Sequence, residues 1–210
     1  MPRISDARPP VAPSSAGQRE RHQRMLDAAV KLGSDLEFER VQMQDVASES
    51  GVAIATLYRY FPSKVHLFVA VMRAQLDQMD PSQYAVQPGQ DRVDVTVDLL
   101  ITMTDQMSRN RRLSMSMIQS MILVEGLDSR DSDTVERGFL ELLLQVVGWG
   151  DEPSRDQRRR CWLLIQCWFG VLITTLSGNR PLSTAEADLR RACELLLGPD
   201  PDLSSGTPNL

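Results

Sequence analysis

Ala55, Thr56, Arg59 and Tyr60, bordered by Ile54 and Tyr58, bring small, hydroxyl, basic and aromatic side chains together within one short run. That set suits double-stranded DNA. Arginine makes a bidentate bond to guanine, and small apolar groups touch the thymine methyl. Hydroxyls, together with Lys64 just downstream, hold phosphates. Such side chains need a rigid mount, and residues 51–68, GVAIATLYRYFPSKVHLF, supply one. Gly51-Val52 makes a turn, a short helix follows from Ala53 to Phe61, and Pro62-Ser63 punctuate it before a new helix. Leu57 and Phe61 are four apart and share a face. With Val52 they anchor the helix to a small core, which turns Ala55, Thr56, Arg59 and Tyr60 outward. Upstream, Met43–Ser50 reads as another short helix ending at Gly51. Helix, glycine turn and helix make a helix-turn-helix. Spacing alone leaves open an ordinary helical pair that binds no DNA.

The elements that must carry this unit are helical. Periodicity of the helical kind runs through nearly everything after Gly17, and the fold class is all-α with about nine helices. Arg19–Phe38 forms the first, the two short helices follow, and Ser63–Asp80 links them to the rest. Residues 81–91, PSQYAVQPGQD, form a loop. The body then reads as Asp91–Arg109, Arg112–Val124, Ser132–Val147, Arg155–Leu176 and a last helix to Leu197, with a break at Gly126-Leu127-Asp128. Ser154 with Gln157, and Ser183 with Glu186, are spaced as capping boxes for the last two. The division is a helix-turn-helix domain at 18–62, a linking helix at 63–80, a body at 81–198, and disordered tails at 1–17 and 199–210.

Composition narrows the function. The 210 residues are 42% hydrophobic and 24% charged, which fits one or two folded domains. A net charge of −5 is adverse for a nucleic-acid binder, yet residues 1–24 hold Arg3, Arg8, Arg19, Arg21 and Arg24 against Asp6 and Glu20. A basic end on an acidic chain binds DNA while limiting non-specific association. Cys161, Cys167 and Cys193 form no metal-ligand spacing and read as free buried thiols in a reducing cytoplasm. His22 and His66 read as DNA-proximal groups. The chain has no GxGxxG, GxxxxGK[ST] or GxSxG motif, so no enzyme, metal or cofactor is expected. No signal peptide is visible. The most apolar stretch, Cys161–Leu176, is short for a membrane span and is interrupted by Gln166, Thr174 and Thr175, so it reads as a buried helix of a cytoplasmic protein.

The body must supply regulation. Met103 with Met107, and Met117 with Met121, are i, i+4 pairs, and Leu100, Phe139, Leu143 and Trp162 add apolar surface. Methionine adapts its shape, so this set reads either as an ordinary core or as a deformable apolar cavity. Arg109, Arg111 and Arg112 form a cluster that is either a solvated turn or an anion contact at a cavity mouth. Trp168, Leu172 and Thr175, with Leu189, Ala192, Leu195 and Leu196, are spaced to pack on a partner, burial within the monomer being the alternative. An antiparallel hairpin of this kind closes a four-helix bundle with its symmetry mate. A two-fold operator needs such a dimer.

Val41 to Phe68, through Asp45-Val46-Ala47, Gly51-Val52, Thr56-Leu57-Tyr58, Tyr60-Phe61 and Ser63-Lys64, resembles the N-terminal signature of the TetR family of bacterial repressors. The resemblance implies an all-helical homodimer whose first three helices read DNA, whose fourth links, and whose remainder binds ligand and dimerises through the last two. It implies base contacts at Gln44, Ile54, Ala55 and Arg59, and phosphate contacts at Thr56, Tyr58, Tyr60 and Lys64. Two positions depart from the pattern: Ala53 stands where the family often has a serine cap, and His66 replaces a more frequent acidic residue. Val41-Gln42-Met43, the run Thr56 to Leu67, and Trp168 resemble one subgroup more closely, the actinobacterial repressors of cholesterol catabolism. That implies an apolar effector, a steroid or long-chain acyl-CoA. The alternative is a body that serves as a protein-interaction platform without a small-molecule ligand.

Overall fold

A computed structural model describes residues 13–125, 130–150 and 152–198. The described residues hold nine α-helices and no strand: α1 (Ala16–Asp35), α2 (Met43–Ser50), α3 (Ile54–Tyr60), α4 (Lys64–Asp77), α5 (Arg92–Arg109), α6 (Arg111–Glu125), α7 (Arg130–Val146), α8 (Arg155–Leu176) and α9 (Leu182–Leu197). Residues 1–12 and 199–210 of the expected tails, and the break at Gly126-Leu127-Asp128, lie outside them.

Local hydrogen bonds account for the boundaries. The first helix starts at Ala16, inside the expected tail, because Ser15 caps it by accepting from the Gln18 N–H. It stops at Asp35, and Phe38–Arg40 form a separate 3-10 turn. The helix α4 ends at Asp77. Asp80 instead accepts from the Ser82 N–H and caps a 3-10 turn at Pro81–Gln83, within the expected loop. The Ser154–Gln157 capping box on α8 is present in both directions. The one expected at Ser183 and Glu186 is not formed. Pro181 is the N-cap of α9, without a side-chain cap bond, and Ser183 falls inside the helix.

The chain divides into two compact units, 1–79 with 110–138 and 80–109 with 139–210. In the first, α1 packs on α2, α4 and α6, and α4 packs on α6. Thus α6, read from the sequence as part of the body, packs in the first unit against α1 and α4. Gly33 on α1 permits the close approach: a Cβ there would come within 2.7 Å of the Phe68 ring and 3.1 Å of Leu113. Asn110 donates to the Ser34 hydroxyl at 2.6 Å, and Arg112 pairs with Glu37 at 3.3 Å. In the second unit α5 packs on α8 and α9, which pack on each other. Trp168 is oriented there by its indole N–H, which donates to the Thr104 hydroxyl at 3.0 Å, and by Phe139, whose ring centroid is 5.3 Å away. No helix among the described residues is long and apolar enough to cross a membrane.

Candidate nucleic-acid interface

The helix α3 is set by backbone geometry at its entry. Gly51 ends α2 in the left-handed region, at φ 65°, which costs a glycine nothing. The Val52 N–H then donates to the Ala47 carbonyl at 3.0 Å. Ala53 is the N-cap and makes no side-chain bond, as its departure from serine implies. Leu57 and Phe61 are buried and fasten the helix to the first unit. The opposite side is open: Ile54 is 39% and Tyr58 48% exposed, Ala55 and Arg59 are exposed, and Thr56 is half-buried. Gln44 is exposed on α2. A short rigid helix therefore carries a strip of Ile54, Ala55, Tyr58 and Arg59, whose chemistry suits base edges and phosphates.

Two expected phosphate contacts do not fit this geometry. Tyr60 is 3% exposed, and its hydroxyl is enclosed without a hydrogen-bond partner. It follows Leu57 by three residues, so the stripe that buries Leu57 and Phe61 buries it too. The second is Lys64. Its ammonium donates to the carbonyls of Phe38 at 2.5 Å and Val41 at 3.0 Å, with Glu39 at 3.3 Å, and lies 4.4 Å from the Phe38 ring centroid. Burial lowers its pKa, against the opposing pull of Glu39. Phe38 gave no signal in the sequence, because its part here is played by a backbone oxygen and a ring face.

Neither histidine stands free. His22 is half-buried against Tyr60 and Phe61, with ring centroids 5.7 and 5.1 Å away, and burial lowers its pKa. His66 Nδ1 shares a 2.8 Å hydrogen bond with the Ser63 hydroxyl at the start of α4.

The residues expected around a ligand are divided between the units. Met117 and Met121 are buried in the first; Leu100, Met103 and Leu143 are buried, and Met107, Phe139 and Trp162 half-buried, in the second. The second unit also has an open cleft of about 660 Å³, whose polar walls include Arg92, Trp149, Asp156 and Arg160 and none of these eight residues. The arginine cluster is engaged with neighbours at two of its members, Arg109 with Asp105 and Arg112 with Glu37.

The expected dimer face needs a larger correction. Trp168, Leu172 and Leu189 are buried within the protomer. The helix α8 turns Cys161, Leu164, Ile165, Trp168, Leu172 and Leu176 inward. Leu195 is 65% and Leu163 42% exposed, Cys167 and Gly170 are exposed, and Thr175, Ala192 and Leu196 are half-buried. Burial also pushes the thiols of Cys161 and Cys193 up to about 12, whereas Cys167 is on the surface, contrary to three buried thiols.

An exposed helix held behind a glycine turn, with an arginine and small side chains on its free face, defines a helix-turn-helix DNA-binding protein. Residues 25–71 match the bacterial regulatory proteins of the tetR family, and residues 89–196 match the tetracyclin repressor-like C-terminal domain. The chain belongs to the TetR family, a family of DNA-binding regulators and not of enzymes. It is 31% identical over 185 residues to the HTH-type transcriptional repressor KstR of Rhodococcus jostii, covering 88% of this chain and 86% of that one. A crystal structure of a TetR transcriptional regulator from Rhodococcus sp. RHA1 is 43% identical, with a TM-score of 0.78 over 87% of this chain and 98% of that one. The FadR repressor of Thermus thermophilus, solved with lauroyl-CoA, is alike in fold alone: 17% identical, TM-score 0.60, covering 84% and 94%.

Proposed function

We propose that this protein is a cytoplasmic repressor that holds its operator as a homodimer and releases it when an apolar small molecule, a steroid or a long-chain acyl-CoA, binds the second unit. The observation that carries the DNA half is the exposed strip of α3 on a buried footing of Leu57 and Phe61. Gln44, Ile54, Ala55 and Arg59 read bases, and Thr56 and Tyr58 hold phosphates. Support for the ligand half comes from relatives: KstR is a repressor, and the FadR fold neighbour carries lauroyl-CoA. In this reading Leu100, Met103, Met107, Phe139, Leu143 and Trp162, which are buried or half-buried in the second unit, part to form the adaptable apolar lining such a ligand needs. The dimer forms on the outer sides of α8 and α9, through Leu163, Cys167, Gly170, Thr175, Ala192, Leu195 and Leu196. A two-fold operator requires that pairing.

The test begins with the duplex that the protein enriches from a random-sequence pool. Fluorescence anisotropy then follows its release by palmitoyl-CoA, by a steroid acid and its CoA thioester, and by free CoA. Release by a steroid acid or an acyl-CoA but not by free CoA is expected. A ~100-fold loss of DNA affinity corresponds to about 2.7 kcal/mol of coupling, within the usual allosteric range. If the duplex is bound yet none of these compounds binds or releases it, the ligand half fails while the DNA half stands.

A further inference from the structure

Lys64 opens α4, just beyond the α3 strip. A lysine there that faced outward would meet a phosphate. Its ammonium faces inward instead, and the turn it enters explains why. In the 3-10 turn the N–H groups of Arg40 and Val41 both end on the Glu37 carbonyl. The first bonds of α2, from Asp45 and Val46, both end on Gln42. Between those two acceptors the carbonyl of Glu39 is open to water, whereas those of Phe38 and Val41 are part-buried where the ammonium meets them and need a donor. Lys64 supplies it: its three N–H donors meet the oxygens of Phe38, Glu39 and Val41, and the Phe38 ring lies 4.4 Å from the charge. This turn leads straight into α2, while Lys64 follows directly from α3. One ammonium thus joins the entry of the helix-turn-helix to its exit.

We propose that Lys64 is a positioning residue that sets the angle of α3 by clamping the turn before α2 to the start of α4, and that it is not a phosphate ligand. Base readout requires α3 to sit at one angle in the groove. Sequence-independent attraction to the phosphates does not. Loss of the clamp therefore costs discrimination first.

Three variants test this: Lys64→Arg, Lys64→Met and Phe38→Leu. A guanidinium serves a phosphate at least as well as an ammonium, but it is planar and its donors do not converge on three carbonyls. Phe38→Leu removes the ring and keeps the charge. Affinity is measured across salt for the enriched duplex and for a scrambled duplex of the same length. Both Lys64 variants are expected to weaken the enriched duplex by about tenfold. They should leave the scrambled duplex within about twofold and keep the wild-type salt slope. Phe38→Leu should move the same way by less. The idea is overturned if the salt slope falls by about one, both duplexes weaken alike, and arginine preserves affinity. It is equally overturned if the melting temperature falls while discrimination by the folded variants is unchanged. If the methionine variant does not fold, the arginine and Phe38 variants decide.

Discussion

Replacing Tyr60 by phenylalanine removes one oxygen atom from the buried side of α3 and leaves the ring against His22 and Phe61 in place. That oxygen is enclosed, and it has no hydrogen-bond partner. A buried hydroxyl without a partner has given up its water and received nothing in return, a penalty of about 1–3 kcal/mol. The ring is 3% exposed, so the penalty is close to fully developed. Tyr60→Phe should therefore stabilise the protein by about 1 kcal/mol or more, which raises the melting temperature of a chain this long by roughly 2–4 °C per kcal/mol. DNA affinity should not change, because the hydroxyl does not reach the surface. Thermal unfolding without DNA and anisotropy with the enriched and scrambled duplexes read the two quantities separately. A variant that binds both duplexes several-fold more weakly and gains no stability would refute the reasoning and return the hydroxyl to a phosphate.

Arg59→Ala should cost about 1–3 kcal/mol of operator affinity and relax preference at one base position, seen by repeating the selection with the variant; unchanged affinity with an intact fold removes its base-reading role. Leu163→Glu with Leu195→Glu places two charges on the outer faces of α8 and α9 and should give folded monomers in sedimentation, whereas Leu172→Glu puts a charge inside the protomer and should unfold it. Dimers of wild-type affinity from the first pair would move the interface elsewhere. His22 is held below its ordinary value of 6.5 by burial, so as pH falls below about 6.5 the unfolded chain takes up a proton that the folded head refuses. Stability should decline from that point down to the folded pKa. Denaturant midpoints for His22→Leu should lack this part of the decline, and identical profiles for the two proteins would contradict it.

What the sequence disclosed depended on how local the deciding interaction is. The Ser154 capping box is visible because donor and acceptor lie within one turn. Leu57 and Phe61 are visible because an i, i+4 apolar pair on a two-turn helix leaves few alternatives. Tyr60 was misplaced because it is amphipathic, and on so short a helix its i+3 relation to Leu57 competes with the pull of its hydroxyl toward water. Lys64 could not be placed, since its partners are backbone oxygens far away in the chain, and carbonyls leave no mark on a residue pattern. The inner and outer sides of α8 were indistinguishable for a different reason: it carries Trp168 and Leu172 on one side and Leu163 on the other, and hydrophobicity alone does not say which meets α5. The packing of α6 on α1 and α4 rests on Gly33, Phe68 and Leu113 meeting across three helices, which no single helix announces.

The first unit is assembled from two separated stretches of chain, 1–79 and 110–138. A ribosome delivers them in order, so α1 to α4 emerge before the helix that packs on α4 exists. Synthesis of the intervening stretch takes a few seconds at about 5–20 residues per second. Throughout that interval the side of α4 that receives α6 in the folded chain waits for its partner helix. The same arrangement governs attempts to graft this operator preference onto another effector domain. A cassette cut at residue 80 leaves α6 behind, so an exchange that preserves the packing of α1 and α4 on α6 must carry two segments of the gene rather than one.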